Sequence, residues 1–256
     1  MTTVQEMVMD ISMDGAQTLP GPGGPLSMTM KTTTVMTQKT GPVKADGGID
    51  AELRYEELRT DVSMNGQPMP TSDAVSQFVG KVVQMIYNRD GQIVDTRFPP
   101  DFPATADMVK QIITTVSGSL PVTPMGIGEV VTLPLVLSLP IPLPGASPMN
   151  MSGENRLKLV SIDRDANGRS ARFESTAEGK MVADVPSPDG KTGASMSFTI
   201  TGGGTTVMDL DAGFLRSAVS KTTFDGTLTT TPAAGPALMP AMKMHGTMTV
   251  TTTGSN

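Results

Sequence analysis

Apolar and polar side chains alternate with a period of two in run after run of this chain, and no other feature constrains its fold as strongly. Met7, Met9, Ile11 and Met13 fall on one side of an extended backbone, with Val8, Asp10 and Ser12 between them. Leu26, Met28 and Met30 alternate with Ser27, Thr29 and Lys31, and Ala194, Met196, Phe198 and Ile200 with Ser195, Ser197, Thr199 and Thr201. The last run sets Met242, Met244, Met248 and Val250 against Lys243, His245, Thr247 and Thr249. Successive side chains of a strand point to opposite faces, so each run describes a strand with one apolar face and one hydrated face. That is the signature of antiparallel pairing, because parallel strands are covered on both sides and read as unbroken apolar runs. Threonine on the polar side favours the strand further, since its branched Cβ suits the pleat.

Turn residues divide the runs. Asn65-Gly66, Asp90-Gly91, Asn167-Gly168, Asp189-Gly190 and Asp225-Gly226 read as hairpin signals, because these residues tolerate the positive φ of tight turns. Leu19–Pro25 and Thr231–Pro240 read as Pro/Gly-rich surface loops. Between Ile49 and Val62 the alternation slips by one residue after Tyr55, which describes a bulged strand; a helix laced with Glu/Arg pairs is the alternative. One segment has helical spacing: Met108, Val109, Ile112, Ile113 and Val116 share a face, with Thr105 as N-cap and Gly118 as terminator. A second, short helix fits Ser72–Val79. Gly80–Val94 and Gly202–Leu215 share the outline glycine, strand, acidic turn, strand. The expected architecture is therefore mainly β, a β-rich α+β fold. In it a curved antiparallel sheet packs around one principal helix at about 105–117. It forms one continuous domain of two similar halves, 1–120 and 121–256.

Composition excludes several functions. The chain has 256 residues, 38% of them hydrophobic, and a net charge of −6, which speaks against nucleic acid as a partner. It has no cysteine and a single histidine, His245, so thiolate chemistry and multi-histidine metal centres are absent. The most apolar stretch, Val130–Leu143, is interrupted by Pro134, Pro140 and Pro142 and does not describe a membrane-spanning helix. The opening residues, MTTVQEMVMD, have neither a basic n-region nor an apolar h-region.

Catalytic constellations are not evident. His245 has no nucleophile motif to serve, and Gly202-Gly203-Gly204 lacks the Lys-Ser/Thr of a phosphate loop and reads as a turn. The expectation is a protein that is not an enzyme. The sharpest motif is the run from Asp163 to Glu174, in which Asp163, Asp165, Asn167, Gly168 and Glu174 match a Ca²⁺ loop in spacing. Against it stand Ser170 at the eighth position, the positive charges of Arg164, Arg169 and Arg172, and flanks that read as strands. A solvated hairpin turn is the plainer reading, and a Ca²⁺ module at 163–174 is the alternative.

Methionine is over-represented, 21 residues against 7 Phe, 2 Tyr and no Trp. Its unbranched thioether chain repacks around irregular apolar shapes. The residues expected to line an apolar binding face are Met28, Met30, Met108, Ile112, Val116, Met196, Phe198, Met242 and Met244. The strand–turn–strand GKVVQMIYNRDGQIV, the helix after it and the P-x-G-x-G-E-V-V element at Pro124–Val131 together resemble a group of uncharacterised secreted bacterial proteins. Their outline is similar to the periplasmic lipoprotein-carrier type of fold. That resemblance implies a curved sheet around an apolar cavity, and export from the cytoplasm. The expectation that follows is a binding protein for an apolar or lipid-like molecule, without a required cofactor. The alternative is a structural or cell-surface assembly domain with no small ligand.

Overall fold

The computed structural model describes residues 2–14, 26–70, 77–89, 92–102, 124–139, 148–165, 168–186, 192–211, 213–232 and 242–255. Twelve strands account for most of them: β1 (Thr2–Asp14), β2 (Leu26–Thr40), β3 (Ile49–Met64), β4 (Gln67–Met69), β5 (Val82–Tyr87), β6 (Ile93–Arg97), β7 (Val130–Leu139), β8 (Met149–Asp165), β9 (Gly168–Pro186), β10 (Thr192–Asp209), β11 (Phe214–Pro232) and β12 (Met242–Ser255). All pair antiparallel in one open sheet of order β6-β5-β3-β2-β1-β12-β11-β10-β9-β8-β7, with β4 folded back on β3. The fold is mainly β, as the alternation requires. Among the described residues helical structure is limited to a short turn at 77–78. The principal helix expected at about 105–117, with Met108, Ile112 and Val116, lies outside the described residues, as does most of Ser72–Val79.

The topology is two meanders meeting at a seam. Strands up to residue 97 run outward from β1 to β6, strands from residue 130 run inward from β7 to β12, and β1 pairs with β12 over thirteen positions from Thr2↔Ser255 to Asp14↔Lys243. Consecutive strands β6 and β7 therefore occupy opposite edges.

The local geometry explains why each run pairs as it does. Glu56 is skipped in the β2–β3 register, where Val35 faces Glu57 and Met36 faces Tyr55. This bulge lets Ala51, Leu53 and Tyr55 share a face with Leu58, Thr60 and Val62, so the slip in the alternation is resolved without exposing either apolar set. Asn65 (φ 50°) and Gly66 (φ 77°) make the β3–β4 turn, and the Asn65 carboxamide oxygen accepts a 2.9 Å bond from the Ser27 amide, tying the turn to β2. The Gly126–Glu129 turn that launches β7 is held by a 2.6 Å bond from the Gly126 amide to the Glu129 carboxylate.

Two sequence expectations are corrected. Asp225-Gly226 lies in the middle of β11, paired with Thr199 and Phe198, and Gly202–Gly204 lies in the middle of β10. Neither makes a turn. At these positions glycine is required by close approach: a Cβ at Gly226 would enter the Phe198 ring and one at Gly204 would strike the Val219 carbonyl.

Candidate functional site

The register sorts the sheet into two faces of different composition, one richer in methionine and aromatic side chains. Directly opposed residues share a face, so the pairs can be read as rows across the strands. One row runs Val62, Met30, Met9, Met248, Thr222, Gly202, Ala177. The next is Met64, Met28, Ile11, Gly246, Phe224, Ile200. Further along β12 come Met244, Gly226, Phe198, Met181, Met151 and then Met242, Leu228, Met196, Ala183. Six of the residues expected to line an apolar face, Met28, Met30, Met196, Phe198, Met242 and Met244, thus lie on one face of one sheet. Phe198 is buried and the five methionines are half-buried.

The floor of this face is shaped by aromatic rings lying over glycines. Phe224 of β11 covers Gly246 of β12, and Phe198 of β10 covers Gly226 of β11. The two rings meet edge to face, with centroids 6.3 Å apart and planes at 80°, the arrangement their quadrupoles favour. A glycine opposite an aromatic ring lets the ring lie across the neighbouring strand and restores the apolar cover that the missing side chain removes. Phe224 and Leu228 are members of the face that sequence reading missed. The signal was the Phe224-Asp225-Gly226 order, in which the Asp-Gly pair imitates a turn.

The opposite face carries most of the charged and hydroxyl side chains, with exposed valines such as Val136, Val182 and Val219 among them. Thr247, Thr223 and Thr201 stand in one row with Asp10 and Thr29, whose hydroxyl donates to the Asp10 carboxylate at 2.7 Å. Lys31 pairs with Glu6 at 3.9 Å and Arg156 with Glu154 and Glu178 at 3.4 and 3.6 Å, all exposed. His245 is here, with Nδ1 2.5 Å from an exposed Asp225 oxygen. It points away from the apolar face.

One corner of the apolar face is covered. Ala51, Val83 and Met85, on β3 and β5, form a buried cluster under Leu53, Tyr55, Tyr87, Ile93, Phe98 and Phe102. Phe78, Phe102 and Phe98 stack over it with centroids 5.2 and 4.6 Å apart. Burial pushes the Tyr55 and Tyr87 phenols above their usual 10.0. Lys81 forms an ion pair with Asp101 at the rim, and this hydrogen bond holds the Asp101 carboxyl below the usual carboxylate range. Within this corner Thr96 is buried, and its hydroxyl has no hydrogen-bond partner among the described residues.

The proposed cation loop is a hairpin tip. Asp163 faces Ser170 and Asp165 faces Gly168 across the β8–β9 turn, and Asn167 lies outside the described residues. Glu174 is four residues beyond Ser170 and opposite Lys158, about 13 Å along the strand at ~3.3 Å per residue. Asp163 and Asp165 are brought to one tip, but Glu174 is not brought to them. No group of three or more acidic or histidine side chains converges among the described residues. What the tip does contain is an ion network. Arg216 donates to Asp209 at 2.8 and 3.0 Å and reaches Asp165 at 3.4 Å. Arg169 donates to Asp211 from its backbone at 2.7 Å and its side chain at 2.8 Å. The Arg169 amide and guanidinium hold the Asp211 carboxyl low, and the bond to Asp209 raises Arg216. This network joins the β8–β9 tip to the β10–β11 tip and uses the acidic residues as arginine partners.

No helix among the described residues is long and apolar enough to cross a membrane. No protein-family model matches the chain, and no curated protein matches it.

Proposed function

We propose that this chain is a non-enzymatic binding protein whose methionine-rich sheet face takes an apolar, lipid-like molecule, in the manner of the exported bacterial carriers that its outline resembles. The observation that carries this reading is the convergence of Met28, Met30, Met196, Phe198, Met242 and Met244 on one half-buried face of a single sheet layer. Taken from β2, the first two rows run to β9 and to β10, and the other two from β12 to β9, together an area of about 350 Å² at ~4.8 Å per strand and ~6.8 Å per row. An apolar patch of that order on a folded chain is commonly a working surface. Its side chains suit a variable apolar occupant, since methionine repacks at small cost and makes few directed contacts. Binding would be driven by removal of apolar surface from water.

The assembly-domain reading draws less support. Both sheet edges carry features that discourage a further strand: Pro134 opposite Glu154 in β7, and Asp95 with Arg97 in β6.

The test is native mass spectrometry of the purified protein with solvent extraction, followed by titration with a long-chain fatty acid and with phospholipid. A co-purifying apolar compound, and a melting temperature that rises with ligand concentration, are the expected results. A clean 26.7 kDa species that no lipid class stabilises would overturn the proposal.

A further inference from the structure

We propose that the occupant of the methionine-rich face is an amphiphile with an uncharged, hydroxylated head group, as in an acylglycerol. This rests on the binding reading above and specifies its ligand. The observation that carries it is the absence of charge from the face. On the strands from β3 across the seam to β8, every side chain in the rows between Gln5 and Met13 of β1 is uncharged. The intervening positions of the same strands carry charges of both signs, among them Glu6, Asp10, Lys31, Lys221, Glu178 and Arg156. Charge is therefore not scarce on these strands; it is confined to the other face.

The face also changes along the strands. Around Met9, Ile11 and Met13 its rows hold methionine, phenylalanine and aliphatic side chains. At the other end Gln5 stands directly between Thr34 and Thr252, with Thr206 two strands beyond Thr252 in the same row. Thr34 and Thr252 are each 8% exposed, and Gln5 is half-buried. In the next row the Thr32 and Thr60 hydroxyls bond at 3.1 Å. From Met7 to Met13 β1 advances about 20 Å at ~3.4 Å per residue, more than the ~15 Å of hydrocarbon that one bilayer leaflet contributes. An acyl chain lying along these rows puts its head at Gln5. There a carboxamide and several hydroxyls offer both donors and acceptors, spread over neighbouring strands as the hydroxyls of a glycerol are spread over its carbons. An ionised head would find no counter-ion on this face, and desolvating a charge unpaired costs far more than desolvating a hydroxyl that is hydrogen-bonded.

Monoolein and oleate share one acyl chain and differ in the head. Titration calorimetry of the full chain with each, below its aggregation concentration and at a pH where oleate is ionised, tests the inference. Monoolein is expected to bind at least about tenfold more tightly. Gln5→Lys places a cation at the head-group end and should reverse the preference. Thr32→Lys, in the next row, makes the same test where the Gln5 variant does not fold. Thr201→Lys, exposed on the opposite face, should leave the preference unchanged. Equal affinities, tighter binding of oleate by the native chain, or a preference that neither lysine on the face moves, overturns the head-group inference and leaves the apolar face standing. Binding of neither lipid overturns both.

Discussion

The corner built on β3, β5 and β6 and the central strands β2, β1 and β12 belong to the same sheet and present the same face, yet they treat apolar surface differently. In the corner, Val83 is 0% and Met85 5% exposed, and aromatic rings from residues 78, 98 and 102 lie over them. In the centre, Met9, Met30 and Met248 share a row and all remain half-buried. The contrast lies in the residue types. Rings with few rotatable bonds make a fixed cover, whereas a field of thioethers keeps its shape undecided until something lies against it. The first region packs its apolar side chains against one another, and the second leaves them half-exposed.

Truncation should expose the difference most clearly. Met85→Ala is expected to cost about 2–5 kcal/mol, as for other buried apolar truncations, whereas Met9→Ala should cost about 1 kcal/mol because its site is already partly hydrated. Urea midpoints of the two variants measure this. Equal losses would show the central face to be as filled as the corner, and the comparison would collapse. Gly246→Ala comes next, at about 1–3 kcal/mol, because its Cβ would enter the Phe224 ring. Phe224→Leu should recover part of that loss in a double-mutant cycle, and additive losses would show that the ring and the glycine act independently.

Smaller effects sharpen the picture of the corner. Thr96→Val replaces a buried hydroxyl that has no partner among the described residues with a methyl, and should stabilise the protein by about 1 kcal/mol. A loss of stability on calorimetry would mean that the hydroxyl is satisfied. The smallest effect is acidic. Asp101 and Asp211 have folded-state pKa values below the ordinary 3.8, so their contribution is present above that value and fades as pH falls through the lowered ones. Lys81→Gln should flatten the acid limb of the stability curve slightly, since both carboxylates are exposed. An unchanged limb would show that the Lys81–Asp101 pair contributes nothing measurable.

Much of this was legible in the residues, and the reasons for the rest are physical. Alternation is a local property, so the strands, the two faces and even the Glu56 bulge could be read from the spacing of Tyr55, Leu58 and Val62. Methionine content pointed to the face that Met28, Met196 and Met244 share. Strand order could not be read, because which strand meets which depends on partners up to the full chain length apart, as with Thr2 and Ser255. The glycines misled for a related reason. Gly226 answers to the Phe198 ring and Gly204 to the Val219 carbonyl, each on a neighbouring strand, and not to turns of their own, and sequence context does not reveal a neighbour across a ladder. The run at 163–174 matched a cation loop in spacing, but strand geometry carries Glu174 away from the tip where Asp163 and Asp165 stand.

The β1–β12 seam has a consequence for how the chain must assemble. Most other ladders join strands close in sequence, whereas the seam joins residues separated by nearly the whole polypeptide, and the entropy of closing so long a loop delays it. During synthesis β12 emerges last, so β1 waits with one unsatisfied edge while everything between is made. The two meanders can form as separate hairpin stacks, and the final strand then joins them through its thirteen pairs. A chaperone that shields β1 in that interval would act at the step most exposed to mispairing.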